Sequence, residues 1–128
     1  MSSQDVAAVR RLFETQDLEE ALEVLDPAVE VRDFDIPDAD TYRGHDGYRR
    51  WLANWFETFP ETSIELEEIL DAGDRVVVII RLMARGRGSG IELERRDGMV
   101  WTMREGKAVA IEYYGSAEEA LKAAGLGP

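Results

Sequence analysis

The sequence predicts an α+β fold, a cone-shaped, curved antiparallel sheet wrapped over one long helix and two short N-terminal helices, and three observations point to it. Tyr48, Trp51, Trp55 and Phe59 recur at helical spacing, so one helix carries a heavy aromatic stripe. From Ile64 to Tyr114 the chain is a succession of strand-like runs separated by Gly- and Asp-containing turns. Helical segments come first and most of the strands later, so the stripe must find its partner in the sheet, which implies an enclosed pocket rather than a solid core.

The elements follow in order. Between Asp5 and Glu14, Val6, Val9 and Phe13 fall on one face while Arg10, Arg11 and Glu14 look outward, which predicts an amphipathic helix. Asp17 opens a second helix with Leu18, Ala21, Leu22 and Leu25 on its apolar side, and Asp26-Pro27 stops it. Val29 and Val31 alternate with Glu30 and Arg32, the period of a half-buried strand, and Asp33 shares the parity of the valines, which puts a carboxylate on the buried side. Residues 34–43 carry turn formers without periodicity and read as a loop. The long helix runs from about His45 to Phe59, and Pro60 ends it.

Ile64 and Leu66 alternate with Glu65 and Glu67, but Ile69 breaks the parity, so a bulge is expected near Glu67-Glu68. Asp71-Ala72-Gly73-Asp74 has hairpin chemistry and leads into the strongest strand, Arg75 to about Arg85. Gly86-Arg87-Gly88-Ser89-Gly90 reverses the chain into a strand from Ile91 to Arg104, with a bulge expected at Asp97-Gly98. Glu105-Gly106 makes a tight turn before the strand Lys107 to Tyr114. Ser116-Ala117-Glu118-Glu119 reads as a capping box for a short helix ending at Gly125.

The chain of 128 residues fits a single domain spanning 1–128. Its formal net charge of −12 argues against nucleic acid and against anionic membrane surfaces as partners, while leaving a small neutral ligand open. No run approaches the roughly 18 to 20 apolar residues of a membrane span, and Met1-Ser2-Ser3-Gln4-Asp5 lacks the basic start and apolar core of a signal peptide, so a cytoplasmic location is expected. With no cysteine, disulfides, thiol nucleophiles and thiolate metal sites are excluded. A single histidine argues against a protein zinc site or a serine–histidine triad.

Asp17-Leu18 with Leu22 and Leu25, Val29-Glu30-Val31-Arg32-Asp33, Tyr42-Arg43-Gly44, the run from Asp71 to Val78, and Val100-Trp101-Thr102-Met103-Arg104-Glu105-Gly106-Lys107 together resemble the nuclear transport factor 2-like superfamily, in its SnoaL-like polyketide cyclase and ketosteroid isomerase branches. The likeness covers nearly the whole chain and is architectural. It implies the cone-shaped fold and a homodimer formed through the sheet, while function varies widely on such a fold. In the isomerases a general-base aspartate ends the first strand, where this chain has Asp33. Their oxyanion-hole tyrosine and aspartic acid fall on Val9 and about Met99, neither of which can donate, so the resemblance disfavours steroid isomerisation by that route.

The same resemblance places Val77, Ile79, Arg81 and Met83 on the concave face, together with Met99, Trp101, Met103, Ile111 and Tyr113. The arginine of the limonene epoxide hydrolases lies at a place similar to Arg81, while one of their two aspartates falls on Met83 and leaves that set incomplete. Asp97 or Asp33 would then supply carboxylates.

Two readings of Asp33 stand open, a general base raised in pKa by apolar surroundings and a strand-end carboxylate that satisfies loop amides or pairs with Arg81. Arg81 is either an anion or carbonyl clamp or half of a structural ion pair. Tyr113 either donates to a substrate oxygen or fills the core with its hydroxyl on a carbonyl. Trp51, Trp55 and Trp101 read as core residues, Trp101 the first of them to touch a ligand as well, and together with Met83, Met99 and Ile111 they are the candidate ligand-binding residues of the pocket. His45 fits a surface or capping place, and a place at the pocket mouth remains open to it. The expected ligand is a small hydrophobic molecule bearing an oxygen, and proton chemistry on it of the isomerase or cyclase type needs neither metal nor organic cofactor; a noncatalytic ligand-binding protein with the same cavity, a dimeric interaction module and an epoxide-hydrolase-like enzyme are the alternatives.

Overall fold

The structure, a computed structural model, describes residues 2–15, 17–36, 41–85 and 92–126. The turn expected at residues 86–90, the start of the following strand at Ile91, and residues 37–40 of the expected loop lie outside them. The elements run α1 (Ser2–Glu14), α2 (Leu18–Leu22), β1 (Leu25–Asp33), β2 (Tyr42–Arg43), α3 (Gly44–Thr58), β3 (Glu61–Ala72), β4 (Arg75–Arg85), β5 (Glu92–Arg104), β6 (Lys107–Tyr114) and α4 (Ala117–Ala123). The six strands form one curved open sheet in the order β2-β1-β6-β5-β4-β3. No helix among the described residues is long and apolar enough to cross a membrane.

The sheet is antiparallel except where β1 meets β6, which it pairs in parallel through Val31 with Ile111 and Asp33 with Tyr113. The four consecutive strands β3 to β6 are antiparallel as expected, and the parallel pair is an addition to the antiparallel sheet that the sequence predicts. It arises because β1 lies between β2, its sequence neighbour, and β6, the last strand, which runs in the same direction. The loop expected over residues 34–43 closes with a short strand, in which Val31 and Glu30 of β1 pair Tyr42 and Arg43.

The second helix is shorter than its apolar spacing suggests. Asp17 caps it by accepting from the Glu19 amide at 2.9 Å, but Leu25 already belongs to β1, and Pro27 lies within that strand rather than behind a helix. A ladder amide is missing at any proline. The register accordingly shifts between Leu25 and Glu30, so β1 bulges away from β6 across the proline.

The bulge expected near Glu67-Glu68 is present, as a register shift between Leu66 and Glu68 against β4. The one expected at Asp97-Gly98 is not. Strand β5 pairs β4 without interruption from Thr102 opposite Arg75 to Glu92 opposite Arg85. Gly98 has a different purpose: a Cβ there would stand 2.5 Å from Ala120 Cβ, so glycine lets α4 lie directly on the sheet.

Both faces of the central strands are consequently dry. On the concave side Val76, Val78, Ile80, Met99, Trp101 and Ile111 pack with Val9 and Leu12 of α1 and with Tyr48 and Trp51 of α3. On the convex side Val77, Ile79 and Val100 pack under Ala117, Ala120 and Ala124, in and just beyond α4. Ser116 opens α4 by accepting from the Glu119 amide at 3.2 Å, as the capping motif predicts.

Candidate functional site

Strand parity decides which residues can meet a ligand. Val29, Val31 and Asp33 alternate onto the concave face, and Asp33 arrives there 7% exposed at the open end of β1. The register then sets Asp33 beside Tyr113, and Tyr113 beside Met99, in one row across β1, β6 and β5. The neighbouring row on the same face is Val31, Ile111 and Trp101. Helix α3 lies over these rows with its aromatic stripe inward. Tyr48 and Trp51 meet edge to face at 5.9 Å, and Trp51 meets Tyr113 edge to face at 5.8 Å, arrangements worth about 0.5–1.5 kcal/mol each beyond burial.

Between helix and sheet lies a cavity of about 80 Å³, lined by Asp33, Tyr48, Trp51, Trp55, Met99, Trp101 and Tyr113, with Phe13, Leu52, Ile80 and Leu82 completing the apolar wall. Phe56 and Ile64 also line it and are exposed, 41% and 45%, so they form its mouth. The three tryptophans of the chain all border this one space.

Within that wall Asp33 is held at both oxygens. Trp51 Nε1 donates to Oδ2 at 2.8 Å, and the Asp35 amide donates to Oδ1 at 2.9 Å. Burial raises the carboxyl above its ordinary value of 3.8; the Trp51 and Asp35 hydrogen bonds pull it back only in part, and the charges of Asp35 and Asp97 push it up again. Each carboxylate oxygen keeps a second lone pair. The group is therefore a fixed acid–base of raised pKa in an apolar surface, the setting in which a carboxylate exchanges protons with carbon or oxygen acids.

Tyr113 lines the cavity, but its hydroxyl donates to Asp97 Oδ2. Burial, and then the Asp97 carboxylate, hold this phenol well above the ordinary range, so it stays neutral and stays a donor to Asp97. Asp97 is fully buried. Arg95 neutralises it through Nε at 2.7 Å and reaches Asp35 through Nη2 at 2.6 Å. Room for Asp35 comes from Gly115, where any Cβ would overlap Asp35 Oδ1. Arg95, Asp97, Asp35 and Tyr113 thus form a charged buttress behind the pocket wall.

Arg81 requires a correction. It lies on the convex face, half exposed, with Nη2 bound to Glu94 at 2.5 Å. Met83 shares that face and does not line the cavity. Val77 and Ile79 belong under α4. The concave residues of β4 are Val76, Val78, Ile80 and Leu82, one residue out of phase with the expectation, because two apolar faces give alternation nothing to choose between. An epoxide-hydrolase-like set centred on Arg81 is therefore not formed; the arginine flanked by two aspartates is Arg95, and it is screened from the cavity by Tyr113.

Ile111 is fully buried in the core beside the cavity rather than in its lining. His45 is half-buried, with Nε2 2.9 Å from the Leu25 carbonyl oxygen, away from the cavity lining. Trp55 anchors α3 to β3 by donating to Thr62 Oγ1 at 3.1 Å. Among the described residues no group of three or more metal-ligating side chains comes together.

Two polar groups in the wall escaped sequence reasoning. The Tyr48 hydroxyl, raised by burial to about 12, has no hydrogen-bond partner among the described residues. Trp101 Nε1 is buried with no partner either, although a buried donor left unpaired costs about 1–3 kcal/mol. Helical spacing could have found the first, but the second shows only once the three indoles can be compared.

Known proteins agree with this architecture. A protein described as a SnoaL-like polyketide cyclase, from Jannaschia sp. CCS1, superposes with a TM-score of 0.79 at 23% identity, over 99% of this chain and 94% of its own. A nuclear transport factor 2-like protein from Burkholderia thailandensis E264 gives 0.78 at 26% identity, over 97% and 98%. TerC, co-crystallised with polyporic acid, gives 0.75 at 23% identity, over 95% and 98%. No curated protein matches the chain. The profile of the SnoaL-like domain matches residues 6–111, from within α1 into β6, and the chain belongs to that family.

Proposed function

We propose that the protein binds a small, largely apolar molecule bearing a carbonyl or similar oxygen between α3 and the concave sheet, and that Asp33 moves a proton on it in cofactor-free chemistry of the isomerase or cyclase type. One observation carries this reading: a carboxyl of raised pKa faces an apolar cavity, pinned by Trp51 and the Asp35 amide, and no cation among the described residues pairs with it. A structural aspartate so deeply placed would ordinarily have a cation or give way to an apolar side chain. Relatives of this fold include one described as a polyketide cyclase and one crystallised with polyporic acid, and both names suit a pocket for an oxygen-bearing molecule.

The role first considered for Tyr113, polarising the substrate oxygen, is replaced by a supporting one, since its hydroxyl is occupied by Asp97. Arg81 has no part in the site.

Cyclohexanone in heavy water is a suitable probe, because exchange of its α-protons reports enolisation directly by NMR. The wild-type protein should accelerate exchange, and Asp33→Asn should lower the rate by about 100-fold or more, the usual span for a positioned base, while cyclohexanone affinity from tryptophan fluorescence changes little. Equal exchange rates in the two proteins would remove Asp33 as the base. The two hydrogen bonds on Asp33 also favour a second reading, in which the carboxylate only anchors α3 and the pocket binds without turnover. Binding with no acceleration in the wild type would select it.

A further inference from the structure

The three indoles of this chain are treated unequally. Trp51 Nε1 donates to Asp33 at 2.8 Å and Trp55 Nε1 donates to Thr62 Oγ1 at 3.1 Å, but Trp101 Nε1, on a residue only 1% exposed, has no acceptor among the described residues. Trp101 is not a stray surface ring: it lines the cavity, faces Phe13 at 5.8 Å, and stands towards the end of β5 with Val76 and Ile111 beside it in the sheet. Phenylalanine or leucine would fill an apolar wall without bringing in a donor, and buried donors in folded proteins are almost always partnered.

We infer that Trp101 Nε1 is the hydrogen-bond donor that recognises the ligand, so that the substrate class is an apolar ring or chain carrying a neutral acceptor oxygen, a ketone, enone or quinone carbonyl, at the end opposite Asp33. The register fixes that arrangement. Asp33 on β1 and Trp101 on β5 are separated by β6 and offset by two residues, which puts their Cα atoms about 12 Å apart, from strand spacings of about 4.8 Å and a rise of about 3.3 Å. Both residues lie on the concave face and line the cavity, so a ligand touching both spans at least a ring. Trp51 closes the near end and Phe13 the far end, and the mouth at Phe56 and Ile64 leaves room for a substituent to emerge. A charged carboxylate or phosphate finds no cation in this lining, whereas a neutral carbonyl exchanges one water hydrogen bond for one indole bond in a dry wall.

This inference rests on the pocket assigned above but not on proton transfer by Asp33. Its test uses cyclohexanone and methylenecyclohexane, which share a shape and differ in having oxygen or a CH₂ group at the acceptor position. The indole N–H signals of wild-type protein are followed by ¹H–¹⁵N correlation NMR, with the Trp101 signal assigned from backbone-linked spectra and from its absence in Trp101→Phe. Cyclohexanone is expected to move the Trp101 indole proton downfield and methylenecyclohexane is not. The Trp101→Phe variant is expected to weaken cyclohexanone by about threefold to tenfold, the range for one neutral hydrogen bond, and methylenecyclohexane by clearly less.

If both ligands shift the pocket signals but move the Trp101 proton equally, Trp101 is not the recognition donor, while the pocket reading survives. If neither ligand perturbs any of the three indoles, the pocket reading fails and this inference falls with it. The wild-type spectra decide even if Trp101→Phe does not fold.

Discussion

Trp51 Nε1 lies 2.8 Å from Asp33 Oδ2, so the long helix and the carboxyl at the end of β1 are one mechanical unit. The bond both orients the acid and moderates its basicity, because a donor to the ionised form lowers the pKa that burial has raised. It also explains why α3 carries tryptophan here. Phenylalanine would cover the cavity as well but would leave the carboxyl held only by the Asp35 amide.

Trp51→Phe should therefore move the Asp33 titration upward, away from the ordinary carboxylate range. Loss of the bond and part of the ring contact should destabilise the fold by about 1–3 kcal/mol. The ¹³C chemical shift of the Asp33 carboxyl against pH checks the first expectation and urea unfolding the second. An unmoved titration midpoint would mean that the bond does not set the acidity of Asp33.

The raised pKa has a sign that can be worked through. A carboxyl whose folded value exceeds its unfolded value binds its proton more tightly in the folded state, so Asp33 favours folding below the ordinary value of 3.8 and that contribution is lost as the pH rises through the folded value. Unfolding midpoints of wild type and Asp33→Asn should diverge accordingly, with wild type losing ground to the variant across that window. Proton exchange on cyclohexanone should run the other way. It needs the ionised base and should begin to fail, on acidification, at a higher pH than an unperturbed aspartate would dictate.

Much of this architecture could be read from residue order. The stripe Tyr48, Trp51, Trp55 and Phe59 identifies α3 and its inward face, and the parity of Val29, Val31 and Asp33 delivers the carboxyl to the concave side, because each element has one wet face to contrast with one dry one. Strand β4 lacks that contrast. From Val76 to Ile80 it is buried on both faces, one against α1 and α3 and the other under α4, and alternation alone cannot choose between them. Within the strand Arg81 marks the outside, with Arg75 and Arg85 on the same parity at its ends, and assigning that face inward by likeness to another enzyme shifts the strand by one residue.

The facing of Asp97 is hidden for a different reason. It keeps parity with Met99, Trp101 and Met103, so an unbroken strand puts it on the concave face, but Gly98 beside it suggests a bulge that would turn it away. Gly98 is small because Ala120 presses on the other face of the sheet. Sequence spacing cannot separate those two uses of glycine. Nor can it reveal that Trp101 Nε1 has no partner among the described residues, since that depends on what the fold packs around the indole.

The Arg95 buttress gives a prediction about stability rather than chemistry. Asp97 is fully buried, and Arg95 with the Tyr113 hydroxyl supplies its hydrogen bonds. Removing the guanidinium strands a buried charge, so Arg95→Met should destabilise the fold by about 2–4 kcal/mol, less than the full loss for a deeply buried pair because the Arg95 side chain keeps 29% of its exposure. Adding Asp97→Asn should recover part of the loss by removing the stranded charge. Chemical denaturation of the single and double variants measures the coupling, and strictly additive effects would mean that the two groups do not support each other.

Gly98 offers the sharpest test of how α4 is seated. A methyl group there would meet Ala120 Cβ at 2.5 Å and Ala117 Cα at 3.3 Å, and the second contact is backbone that cannot swing aside. Strand β5 cannot retreat, because Met99 and Asp97 on either side of Gly98 are locked into the opposite face. Helix α4 must therefore lift, opening the cluster of Val77, Ile79 and Val100 beneath it. Gly98→Ala should cost about 1–3 kcal/mol, the range for overpacking, and Ala120→Gly in the same chain should restore part of it by removing the methyl that the new Cβ strikes. The comparison is made by thermal unfolding of the single and double variants. A fully neutral Gly98→Ala would mean that α4 does not rest on β5 at this point. The cavity lies on the far side of the sheet, so cyclohexanone binding should be unchanged in whichever of these variants folds.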